Sequence, residues 1–175
     1  MRRSFVSVSA MTANVVVTTA AVATVGLASA PAALAERPWG INGTYSAVSN
    51  GEWAKTNDKL EARPNVFDTW TISTTCTNVV TCSGTVTSAE GWTAPIKTVS
   101  GIWNVVRDIP NWVPCTVGPA ATGHQVYSFW RAADDGWQDM NSDILAGSNK
   151  TVADSGNCGV NRPVVIQMPF KLRPV

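Results

Sequence analysis

The stretch Val164-Val165-Ile166-Gln167-Met168-Pro169-Phe170-Lys171-Leu172 decides the fold class. Val164, Ile166, Met168, Phe170 and Leu172 fall on one face, and Val165, Gln167, Pro169 and Lys171 on the other. A period of two marks a strand with one buried face, because successive side chains of an extended chain point to opposite sides. Pro169 has no N–H for a ladder, which predicts an edge strand or a bulge there.

Upstream, short β-rich runs recur between turn residues: Gly43–Val48, Val66–Thr75, Gly84–Ser88, Thr93–Val99, Ile102–Arg107 and Gln125–Arg131. Asn50-Gly51 is a hairpin signal, since both residues tolerate positive φ. Lys55–Ala62 reads as one or two helical turns before Pro64, and no segment carries a convincing 3.6-residue pattern. Seven or eight strands with short connections predict an all-β, single antiparallel domain. Its expected form is a small up-and-down, lipocalin-like barrel, with a β-sandwich as the alternative. Closure removes edges and favours the barrel; Pro169 counts against it.

The amino end carries the parts of a secretory signal. Arg2 and Arg3 are its only charges before Glu36, an apolar stretch with its clearest block at Val15–Leu27 follows them, and Ala33-Leu34-Ala35 is an A-x-A cleavage pattern. The expected organisation is a signal peptide over 1–35 and one domain over 36–175, secreted or held in the cell envelope. The competing reading is a retained anchor, against which stand the Ala/Thr-rich composition and the interruptions at Gly26 and Pro31. No further membrane-spanning segment is expected after cleavage.

Residues 1–35 hold two of the 13 basic residues and none of the 12 acidic ones, so the mature chain has a net charge of −1 with His124 neutral. Such a chain has no general electrostatic footprint for nucleic acid. All four cysteines, Cys76, Cys82, Cys115 and Cys158, lie in the mature part, and an even count in an exported chain reads as disulfides. Cys76–Cys82 would bridge a tight loop, leaving Cys115–Cys158 by elimination. The chain-entropy model values the longer loop at roughly 4 kcal/mol and the shorter at about 2.5 kcal/mol. With no C-x-x-C pair and a single histidine, a zinc site is disfavoured, and no cofactor is expected.

Catalytic constellations are thin. His124 would have to be the base of any serine hydrolase, yet there is no G-x-S-x-G elbow, and the residue reads as following Gly123 in a turn before a strand. Disulfide pairing leaves no thiolate nucleophile. Asp139, Asn141 and Asp143 have the alternating oxygen-ligand spacing of a calcium loop, but its sixth position is Ile144 rather than Gly and its twelfth Lys150 rather than Glu. The plainer reading is a solvated acidic loop.

Eight tryptophans are the strongest compositional signal. Trp70, Trp103 and Trp130 lie within strand runs and read as core. Trp53, Trp92, Trp112 and Trp137 sit beside turn residues, where an indole can stack on a ligand, anchor an interface or plug a barrel end. Gly51-Glu52-Trp53, Glu90-Gly91-Trp92 and Asp135-Gly136-Trp137 repeat one combination, a Trp beside Gly and a carboxylate. Trp92 and Trp137 are the chosen ligand-contact candidates. The sequons at Asn42 and Asn149 would matter only in a eukaryotic secretory pathway.

Five segments carry a resemblance: Gly43–Asp58 (GTYSAVSNGEWAKTND), Thr69–Cys76 (TWTISTTC), Cys82–Pro95 (CSGTVTSAEGWTAP), Trp103–Cys115 (WNVVRDIPNWVPC) and Ser155–Leu172 (SGNCGVNRPVVIQMPFKL). In overall pattern the chain resembles uncharacterised small secreted proteins of mycobacteria and related actinobacteria. The resemblance implies export, two disulfides and a β fold, and brings no catalytic motif. The expected function is a secreted non-enzymatic binding or interaction module for a lipid, a glycan or an envelope protein. A lipid-carrying barrel, and then a hydrolase centred on His124, are the alternatives.

Overall fold

The computed structural model describes residues 39–78 and 80–175; the expected signal segment 1–35 and its cleavage point lie outside the described residues. The chain runs through β1 (Gly43–Ser49), a 3₁₀ turn (Gly51–Trp53), β2 (Lys55–Thr56), β3 (Lys59–Leu60), β4 (Val66–Asn78), β5 (Thr81–Ser88) and β6 (Thr93–Val99). It continues through β7 (Ile102–Val113), β8 (Ala121–Arg131), β9 (Leu145–Ala153), a second 3₁₀ turn (Asn157–Gly159) and β10 (Val164–Pro174). Strands β4 to β10 pair in sequence order, and β10 pairs with β1, which pairs with β4. An eight-stranded antiparallel up-and-down barrel is closed, and the sandwich alternative falls away.

Pro169 is compatible with closure because of where it sits. β10 pairs with β2 at Ile166 and Gln167 and with β1 from Phe170 onward. Pro169 lies at the handover, and its carbonyl accepts the Asn50 N–H at 2.8 Å. The missing donor therefore falls between partners, so the expected edge is not an edge.

Both disulfides are those expected, Cys76–Cys82 and Cys115–Cys158. Cys76 and Cys82 face each other across the β4–β5 hairpin. Cys115–Cys158 ties the β7–β8 connection to the turn preceding β10.

Lys55–Ala62 is not helical: β2 and β3 form a small hairpin through Asn57 and Asp58, both at positive φ (48° and 66°). Asn50-Gly51 is not a hairpin turn either. The Asn50 side chain caps the 3₁₀ turn by accepting the Glu52 N–H at 3.0 Å. Gly51 is required there by close approach, because a Cβ would collide with the Arg63 carbonyl.

The interior is solid through its middle. Trp70, Ile72, Val86, Ile96, Val105, Tyr127, Phe129, Phe170 and Leu172 are buried there. Trp70 meets Tyr127 edge-on at 4.8 Å and Phe170 at 5.1 Å between ring centroids. At this register a carrier cavity through the barrel has no room. Trp130 does not join the core: Phe129 points inward, so by period two Trp130 points out and is half-buried.

Candidate functional site

At the end where β1 finishes and β4 begins, charged and polar side chains occupy inward positions. Arg107 shares its face of β7 with buried Trp103 and Val105, and Asp68 shares its face of β4 with buried Trp70 and Ile72.

A hydrogen-bonded ladder crosses the interior beneath this mouth. Arg107 Nε donates to Gln125 Oε1 at 2.6 Å, Gln125 Nε2 to Asn149 Oδ1 at 2.9 Å, and Asn149 Nδ2 to Ser49 Oγ at 3.0 Å. Gln125, Asn149 and Ser49 are all buried. Buried polar groups are costly unless paired, and here each is paired through its neighbour. The ladder fixes Arg107 from below, and the Trp92 ring fixes it from the side, with Cζ 4.1 Å from the ring centroid. The Arg107 Nη groups have no protein acceptor among the described residues, so a held guanidinium presents spare donors to the mouth.

Asp68 is occupied differently. Its carboxylate accepts Thr69 N–H (2.7 Å), Trp70 Nε1–H (2.8 Å) and Ser88 O–H (2.6 Å). Tyr127 forms part of the floor, and burial pushes its pKa up to about 12, so its hydroxyl stays protonated. Together with Phe67 and Glu90 these residues line a mouth cavity of about 450 Å³, within the range of small-ligand sites.

Trp92 thus lines the mouth and packs edge-on against Trp70 at 5.4 Å, which makes it half-buried rather than a free platform. Trp137 is 77% exposed on the loop between β8 and β9. The two candidates are on different parts of the barrel: Trp137 belongs to the loop that borders a second, larger cavity of about 740 Å³ on the outer wall. Trp112 caps the interior near the mouth. Its ring lies so close over Gly123 that a Cβ there would approach Trp112 Cγ to 2.7 Å. Gly123 is therefore a strand residue under an indole, not a turn.

His124 lies on the outer surface of β8, with Nδ1 2.7 Å from Asp108 Oδ1 and Nε2 3.5 Å from Asp154 Oδ2. The hydrogen bond to Asp108, then its charge, raises the His124 pKa. Both ring nitrogens face carboxylates, whereas a triad base needs one turned toward a hydroxyl. In the acidic loop, Asp139 accepts the Asn141 N–H at 2.9 Å, and the Asp143 carboxylate lies 3.9 Å from Arg131 Nη1. Among the described residues no three His, Cys, Asp or Glu side chains gather as a metal cluster. No helix among them is long and apolar enough to cross a membrane.

No protein-family model and no curated protein matches the chain. A solved structure does. The monomer form of the Mycobacterium tuberculosis PknI sensor domain superposes with a TM-score of 0.55 over 79% of this chain and 90% of that one, at 16% identity. The likeness is one of fold.

Reading the chain did not single out Arg107, Asp68 or Gln125. Their signal was parity: each is a polar residue on the apolar face of its strand, in phase with Trp103, Trp70 and Tyr127 respectively.

Proposed function

We propose that this chain is an extracytoplasmic, non-enzymatic binding module that takes a small zwitterionic ligand at the barrel mouth. The observation that carries the reading is Arg107, a guanidinium held by Gln125 and Trp92 with its Nη donors unspent. Such a group suits a ligand carboxylate. Glu90, on the same rim, suits an ammonium, and the Phe67 and Trp92 surfaces suit an apolar body. With Asp68 and Glu90 lining the same mouth as Arg107, a purely anionic head would meet two carboxylates; a zwitterion satisfies both signs. The two disulfides support an oxidising compartment, and the likeness to a sensor domain supports a fold that can serve sensing. The solid interior disfavours the lipid-carrier alternative, and the His124 geometry disfavours the hydrolase.

Calorimetric titration with free L-leucine and L-phenylalanine, their carboxamides and their N-acetyl derivatives tests this reading. The free amino acids should bind, and each blocked form should bind at least tenfold more weakly. Equal binding of the carboxamides, or no binding by any probe, would overturn it.

A further inference from the structure

The larger cavity lies outside the barrel, on the wall formed by β8, β9, β10 and β1. Two turns border it, and both belong to the Gly–carboxylate–Trp recurrence: Gly51–Trp53 at one end and Asp134–Gly136, next to Trp137, at the other.

The first turn is fixed by hydrogen bonds to its backbone. Asn65 Oδ1 accepts the Gly51 N–H at 2.7 Å, and the Gly51 carbonyl accepts N–H groups from Ala54 (3.0 Å) and Arg63 (2.8 Å). The turn is pinned on both sides, yet Trp53 remains 62% exposed. A large apolar ring left mostly in solvent on a pinned turn contributes little to the fold.

Trp130 stands on the wall of the same groove, and Ala146 and Gly147 make a low floor. The floor is low because Ala146, beside inward-facing Leu145, turns only a methyl group outward. The rim is polar and balanced in charge. Arg173 Nη2 pairs with Asp134 at 2.7 Å, and Lys171 Nζ donates to the Asp134 carbonyl at 2.9 Å, keeping further donors. Asp135 accepts the Trp137 N–H through Oδ1. Two acidic and two basic groups leave no net charge.

We infer that this groove is a second binding site, for a neutral glycan chain. Pyranose rings carry slightly positive axial C–H groups on their faces and hydroxyls around their edges. The faces suit the negative π faces of Trp53 and Trp130, and the hydroxyls suit the planar and charged groups of the rim. Balanced charge disfavours a polyanion, whose binding would need a basic excess. The polar rim and shallow floor disfavour an acyl chain.

The test follows the eight tryptophan indole N–H signals by two-dimensional NMR during titration of the full secreted domain with cellohexaose and with maltoheptaose. At least one series should shift the Trp53 and Trp130 signals saturably while Trp92 stays still, and 0.5 M sodium chloride should leave the affinity within about twofold. Trp53→Ala should weaken that binding at least tenfold with an unchanged melting temperature, because Trp53 is exposed. Trp130→Phe should weaken it less. No shift with either oligosaccharide, shifts that persist unweakened in Trp53→Ala, or binding abolished by salt would each overturn the inference. The mouth ligand is tested with different probes and reported by Trp92, so failure at one site is separable from failure at the other.

Discussion

Phe170→Asp should leave no folded protein. Phe170 is 3% exposed and meets three aromatic rings, Tyr127 at 4.7 Å, Trp70 at 5.1 Å and Phe129 at 5.7 Å between centroids. A carboxylate there loses the ring's burial and places a charge, or a protonated acid without a donor, among aromatic carbons. Each penalty is several kcal/mol, and together they rival the 5–15 kcal/mol that typically separates a folded domain from its unfolded chain. On the same strand Gln167→Asp should be nearly neutral, since Gln167 is exposed and pairs with Lys55. Ile166→Asp should fall between, because Ile166 faces inward but is only half-buried. Far-UV circular dichroism and thermal melting of the three variants check this order, and a cooperatively folding Phe170→Asp would contradict the solid core.

Trp70→Ala should cost about 4–5 kcal/mol, the upper part of the range for removing a buried indole. Trp70 is 1% exposed and lies at the centre of the ring cluster. Its Nε1–H is also one of three donors that satisfy Asp68. The substitution therefore opens a large cavity and takes a partner from a carboxylate below the mouth. Trp137→Ala, at 77% exposed, should cost about 1 kcal/mol or less. Trp92→Ala should be intermediate, losing its edge contact with Trp70 and the stack under Arg107. Urea denaturation gives the three values. If Trp137→Ala costs as much as Trp70→Ala, the placement of the β8–β9 loop is wrong.

The strands that read clearly are those whose inward positions are apolar. In β10, the inward row from Val164 to Leu172 is apolar throughout, and the period of two is plain. β9 escaped notice because its inward row is Leu145, Gly147, Asn149, Thr151 and Ala153, small or polar at nearly every place. Asn149 stood out only as a sequon, and it is a rung of the buried ladder. The same chemistry hid the site: a hydropathy pattern discards Arg107 and Asp68 as interruptions, although an interruption in phase with a core row is what a barrel mouth requires. Trp130 misled in the opposite way, since its place within a strand run suggested the core and parity places it outside. Asn50-Gly51 misled because glycine was read for its φ, while Gly51 is held for its missing Cβ. Pairing partners also decide what Pro169 means, and the partner change between β2 and β1 is not written in β10 itself.

The central claim is a ligand held at the barrel mouth by Arg107. Native mass spectrometry of the protein purified from its own host, wild type beside Arg107→Gln, is the deciding measurement. Glutamine at this position can keep the bond to Gln125, so the barrel should fold in both. The wild-type chain should carry one small-molecule adduct, identifiable on release as a zwitterion, and Arg107→Gln should be recovered without it. An adduct retained equally by the variant, or none on either protein, would contradict the account.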